Sequence, residues 1–165
     1  MVNSADVEAY FGGIVNRHVE LVGYTFGLMD ELVNGTAKAQ RFPLLHAEPP
    51  EISFSGARRN RERSAKVSFT VFIQRSARPG DIASDQTTEG RRTLADALAK
   101  AQEIAEDVLT MLEHDFVGNL EVVVDASNAT LEGVTALTAN ADMGYRCELF
   151  VRTKMNGCPD MSKWN

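Results

Sequence analysis

The sequence predicts an α+β fold: a mixed or mainly antiparallel sheet of about four to five strands, with an N-terminal helix and one long central helix packed on one face. Three observations predict it. Leu94, Leu98, Ala101, Ala105, Val108 and Leu112 recur at alternating steps of four and three, which lines one face of a helix over Thr93 to Phe116. Lys66 to Gln74 alternates with the period of two of a strand: Val67, Phe69, Val71 and Ile73 face one way, and Ser68, Thr70, Phe72 and Gln74 the other. The segments on both sides of the long helix read as strands joined by short turns, so its apolar stripe has a sheet to lie on.

The other elements follow in order. Ser4 or Asp6 starts a first helix that runs to about Val22, with Val7, Tyr10, Phe11, Ile14, Val15, His18 and Val19 as its stripe. Gly12-Gly13 in its middle costs about 1–2 kcal/mol relative to alanines and reads as close packing against a neighbour. Gly23 ends this helix. Tyr24 to Met29 is a short extended piece, and Asp30 to Val33 a helical turn closed by Asn34-Gly35. Phe42 to Glu48 is a strand that Pro43 begins and Pro49-Pro50 interrupts. Ile52 to Ser55 continues the run and pairs with Lys66 to Gln74 as a hairpin, whose tip is the polar loop from Gly56 to Ser64.

Ser76 to Glu89 has no periodicity and reads as a loop. After the long helix, which Gly118 can cap, Leu120 to Asp125 is a strand, Ala126 to Thr130 a turn, and Leu131 to Thr138 a weakly alternating further strand. Asn140 to Gly144 is a turn. Tyr145 to Arg152 is the last strand, with Tyr145, Cys147, Leu149 and Val151 toward the core. Residues 1–155 thus read as a single α+β domain and 156–165 as a short C-terminal tail.

A chain of 165 residues, 44% hydrophobic and 24% charged, has the composition and length of one globular domain. Its net charge of -6 makes it a poor general binder of nucleic acid or anionic lipid. No apolar run approaches a membrane span, and the first residues have no basic stretch followed by an apolar one, so neither membrane insertion nor a signal peptide is expected. Two cysteines, Cys147 in a strand and Cys158 in the tail, suit a reducing cytosol better than a disulfide scaffold.

Motifs for chemistry are sparse. No phosphate loop, dinucleotide fingerprint, nucleophile elbow or zinc-binding helix pair is present, so no catalytic residue, cofactor or metal is expected. His18, His46 and His114 are far apart and lack cysteines at ligand spacing. His18 beside Arg17 fits a general base with a charged helper, but a hydrogen-bonded core or boundary histidine is the preferred reading. His114 sits in a last helical turn, where the dipole favours a cation. Cys147 on an inward strand position is an inert core thiol rather than a nucleophile. Glu103, Glu106, Asp107 and Glu113 form a solvated helix face rather than a catalytic pair.

The one cluster of like charge is Arg58, Arg59, Arg61 and Arg63 at the hairpin tip. It lacks interleaved aromatics to stack bases, so contact with an acidic patch on another subunit is the preferred reading over nucleic acid. Phe72 and Phe150 fall on the predicted outer faces of their strands and are expected at an interface, unless a helix covers them.

Several short motifs carry a resemblance: Tyr10-Phe11 and Arg17-His18 in the first helix, then Phe26-Gly27-Leu28-Met29-Asp30, Phe42-Pro43-Leu44-Leu45, the acidic helix from Leu94 to Phe116, and Gly144-Tyr145-Arg146 in the closing strand. In this layout the chain resembles the tail-terminator or tail-completion proteins of long-tailed phages and prophages. The resemblance implies a non-enzymatic α+β subunit that self-associates into a ring, commonly a hexamer. It also implies tail-tube and head-completion proteins as partners, a place in the bacterial cytoplasm during assembly, and then one in the virion tail. By the same analogy Arg58 to Arg63 and the loop from Arg78 to Gln86 are contact elements. Two other readings stay open: a small-molecule-binding module or enzyme with a pocket near Arg17, His18 and His46, and a nucleic-acid adaptor acting through the arginine loop.

Overall fold

The computed structural model describes residues 3–34, 41–56, 62–73, 88–119, 121–135 and 143–154. At its centre, β4 (Glu62–Ile73) and β6 (Met143–Lys154) pair antiparallel from Glu62 opposite Lys154 to Ile73 opposite Met143. Alternation then decides the faces. Ala65, Val67, Phe69 and Val71 lie opposite Val151, Leu149, Cys147 and Tyr145 on one side of the sheet. On the other side stand Ser64, Lys66, Ser68 and Thr70, opposite Arg152, Phe150, Glu148 and Arg146. The first set belongs to the apolar core, which the helices cover.

β5 (Val122–Thr135) adds antiparallel to β6, and β2 (Leu44–Ala47) adds antiparallel to β4. β1 (Gly23–Phe26) joins β2 in parallel. β3 (Glu51–Ser55) pairs with the N-terminal part of β4, beyond β2 and on the same edge. The two proline-separated segments are therefore one interrupted run along β4, as their sequence suggested. Among the described residues these six strands form one mostly antiparallel sheet, which is an α+β fold.

Two helices lie on the core face. α1 (Ser4–Arg17) places Val7, Phe11 and Ile14 against it, and the ring of Phe11 meets that of Phe69 at 5.2 Å. α3 (Thr88–Phe116) contributes Ala101, Ile104, Ala105, Val108 and Leu112, all fully buried. The alanines let its axis come close to the sheet, as expected. α3 begins about a turn before Thr93, inside what reads from sequence as loop.

The structure corrects the sequence reading in several places. Asn3, not Ser4 or Asp6, is the N-cap of α1: its side chain accepts from the Asp6 amide while the Asp6 carboxylate takes the Asn3 amide. The helix stops at Arg17, not near Val22. His18 is extended and its Nδ1 accepts the Glu20 amide at 3.2 Å, which turns the chain out of the helix. Val19, assigned to the buried stripe, is 95% exposed. Gly23 does not end the helix but opens β1, where an added Cβ would stand 2.1 Å from the Arg41 carbonyl oxygen.

Gly12 and Gly13 are not required by close packing. A methyl at Gly12 would make ordinary contact with the Tyr24 ring at 3.5 Å, and one at Gly13 would meet nothing.

β5 is one strand where a strand, a turn and a further strand were expected. Its pairing with β6 slips between Asp125 and Thr130 and then resumes. The Asp125 carboxylate accepts from the Ser127 hydroxyl and the Asn128 amide, so the polar insertion satisfies itself and leaves the ladder intact on both sides.

Phe72 is also corrected. It points away from the core face, as predicted, but is 1% exposed, because Leu32 of α2 (Met29–Asn34) packs over Leu44 and Phe72 as a second small cluster. It is therefore covered by the chain's own helix, the alternative that the sequence reading named. The expectations for Arg58, Arg59 and Arg61, for the loop from Arg78 to Gln86, and for the tail 156–165 lie outside the described residues.

Candidate functional site

The chain that leaves α1 is fastened to α3 at three successive points. Arg17 donates to Asp115 through Nη2 at 2.6 Å and through Nη1 at 3.4 Å. His18 Nε2 lies 3.6 Å from Asp107, and Glu20 lies 2.7 Å from Lys100. Positions 115, 107 and 100 are separated by about two helical turns each, so the three anchors fall on one face of α3. Tyr10 adds a fourth link, donating its hydroxyl to Asp115 at 2.9 Å while its ring packs on Phe116.

Between these elements lies a cleft of about 480 Å³. Its apolar lining comes from Ile14, Val19, Val108 and Met111, and its polar rim from Arg17, His18, Asp107, Thr110 and His114. Arg17 and His18, paired in the sequence reading, do converge here. His46 does not. Its neighbours Leu45 and Ala47 point into the core, so His46 lies on the far face of the sheet, buried, with Nδ1 2.9 Å from the Thr25 hydroxyl. Cys147 is also absent from the cleft: it is a core residue whose thiol burial pushes up to about 12. It is the inert core thiol expected.

Several of the rim groups are held by residues outside the cleft: Arg17 by Asp115, and Thr110 by the Glu106 carbonyl. His18 accepts the Glu20 amide at Nδ1, so its other nitrogen carries the proton of the neutral ring and faces Asp107. The imidazole thus links the turn after α1 to α3. The Asp115 carboxyl is held below its ordinary range, first by the Arg17 hydrogen bond and then by that from Tyr10. The Tyr10 phenol is pushed up, first by burial and then by Asp115. Arg17 and His114 are each cations or potential cations in the last turn of a helix, where the dipole favours them. Among the described residues no three His, Cys, Asp or Glu side chains group as metal ligands, and no helix is long and apolar enough to cross a membrane.

No family model matches the chain, and no curated protein matches it either. The surface itself must therefore carry the functional reading.

Its most distinctive feature is the β3–β4 arm. Every residue of β3 is exposed. Ile52 and Phe54 lie opposite Ala65 and Arg63, on the face that the helices cover elsewhere, yet Phe54 is 61% exposed. Arg63, expected at the interface, stands beside Phe54 on this face. Phe150 is 42% exposed on the opposite face, as predicted, between its cross-strand partners Lys66 and Asp125. Around it runs a charged ladder: Lys66 to Glu148 at 2.9 Å, Arg146 to Glu48 at 3.0 Å and to Glu148 at 3.2 Å, and Arg152 to Asp125. Sequence reasoning kept open a pocket near Arg17 and His18 but missed the wall that Asp107 to His114 gives it. No local signal joins Arg17 to Asp115, 98 positions away. It found the alternation of Ile52 and Phe54 but not that the arm stands clear of the helices.

Proposed function

We propose that this chain is a structural subunit that builds a ring with copies of itself, in the manner of a phage tail-terminator or tail-completion protein. The observation that carries the reading is the arm: an aromatic and an aliphatic side chain, side by side and exposed, on a strand whose every residue meets solvent. Large apolar side chains gathered on an exposed edge strand favour burial against another protein surface. The sequence layout that resembles tail-completion proteins supports the same class.

In this role the ring caps the end of a tail tube, stops its growth and offers a surface to head-completion proteins. It forms in the bacterial cytoplasm and ends in the virion tail. Bond-making is left to other proteins. Light scattering of the full chain over a concentration series tests the reading. Discrete oligomers that grow in with concentration, and that bind tail-tube protein, are expected. A monomer at every concentration with no such binding overturns it.

A second reading has one observation in its favour. The cleft has the size of a small-molecule site, within the usual ~300–1,000 Å³, and Arg17 and His18 line it. The position of His46 across the sheet removes the third residue that this reading needed.

A further inference from the structure

We propose that β3 of one copy adds to the open edge of β5 in the next, with Phe54 seated in the groove between that edge and the end of α3. The proposal rests on the self-association reading above and names the two edges that meet.

At the end where β3 pairs, the sheet runs β3, β4, β6, β5. Two rows of cross-strand neighbours span these strands on the helix-covered face. One is Phe54, Arg63, Thr153, Val122, and the other Ile52, Ala65, Val151, Val124. Each row starts on one edge of the sheet and ends on the other. Among the described residues no strand pairs with the outer side of β3 or of β5. An edge with open backbone donors and acceptors is a template for a strand of another chain. From Glu51 to Ser55, β3 holds no lysine or proline to block one.

Strand direction suits the joint. β4 runs antiparallel to both β3 and β6, and β6 antiparallel to β5, so β3 and β5 point in opposite directions. A β3 laid against β5 of the next copy therefore continues the antiparallel alternation without a break. The rows continue with it, which brings Phe54 beside Val122 and Ile52 beside Val124. The Val122 amide is held by the Asn119 side chain at 3.0 Å, so the new ladder starts after it.

Shape and charge agree with that register. A groove of about 310 Å³ lies there, lined among others by Glu113, Phe116, Val117, Val122 and Val124. Val117 is 80% exposed on the single chain. The chain's own Phe54 stands on the opposite edge, with β4 and β6 between, so it cannot fill its own groove. Arg63 is the cross-strand neighbour of Phe54 on the same face. Among the described residues it makes no ion pair, and its buried Nε has no hydrogen-bond partner. Glu113, exposed at the groove, is the carboxylate that a docked strand brings toward it. Two different edges meet, so the contact is heterologous: it propagates from copy to copy and closes into a ring when the rotation per step allows.

The test uses two surface variants, Phe54→Glu and Val117→Glu. Neither residue belongs to the buried core, so both variants fold, which circular dichroism checks. Each is expected to weaken self-association by about 30-fold or more, as losing an interface anchor does. Mixed in equal amounts, they retain one intact β3 and one intact groove between them. The mixture is expected to give a heterodimer and nothing larger.

If wild type assembles but the mixture stays monomeric, or if either variant assembles like wild type, the edge-to-edge proposal is overturned while the self-association reading stands. Loss of assembly in Phe54→Glu alone is one such result, and would set β3 against a surface other than β5. A wild-type chain that stays monomeric at every concentration overturns both.

Discussion

Asp115 ties α1 to the end of α3, because Tyr10 and both terminal nitrogens of Arg17 converge on it. Replacing it with asparagine removes the charge that draws them. Arg17 is about half exposed, so solvent screens much of the pair, and the expected loss is about 1 kcal/mol in urea denaturation. The pH dependence has a definite sign. The folded carboxyl is held below its ordinary value by Arg17, so the unfolded chain takes up that proton more readily. The contribution is complete above about pH 4 and fades as the pH falls through the lowered value. Wild type and Asp115→Asn should therefore converge in stability in acid and diverge toward neutral pH. Gly13→Ala goes the other way: nothing lies within reach of the added methyl, so the helix should gain about 0.5–1 kcal/mol in thermal unfolding.

Single residues were legible in the sequence where one neighbour decides their fate. Cys147 and the acidic face of α3 are cases. Phe72 was not, because its burial depends on Leu32, which reaches it from a different element.

Elements obey the same division. The alternation of Val67, Phe69, Val71 and Ile73 and the stripe of α3 were plain, because each is a local period set by one buried face. The end of α1 was not plain: Val15 and Val19 keep the helical spacing, but a backbone bond to His18 turns the chain before Val19 reaches the core. Nor was β5, where Asp125, Ser127 and Asn128 form a turn's bonds inside a continuing strand. Two substitutions probe the element packing. Phe11→Ala empties the contact between α1 and Phe69 and should cost about 3–5 kcal/mol. Gly144→Ala would set a Cβ 2.2 Å from the Val71 carbonyl oxygen in the central strand pair, and should cost about 1–3 kcal/mol through the backbone shift it forces. Calorimetric unfolding of each variant measures both.

At the scale of the whole molecule, the sheet has its helices α1 and α3 on one face and a charged ladder with Phe150 on the other, and its β3–β4 end extends past the helices. The α+β class was legible because strand and helix periods alternate along the chain. A pocket near Arg17 and His18 was foreseen as an alternative, but its α3 wall was not, because it is made where residues 17 to 20 step back along α3, a geometry that no stretch of sequence contains. On the proposed reading, what matters at this scale is which surfaces remain uncovered. Their charge component should weaken with salt as the screening length falls from ~10 Å at 0.1 M to ~3 Å at 1 M, while the apolar component persists. Assembly should therefore loosen in high salt without vanishing, which sedimentation velocity at two ionic strengths checks.

Native mass spectrometry of the concentrated chain tests the central claim most directly. Self-association through a heterologous contact that closes predicts one dominant mass, a fixed whole multiple of the 18.1 kDa subunit. A spectrum of monomer alone would contradict it.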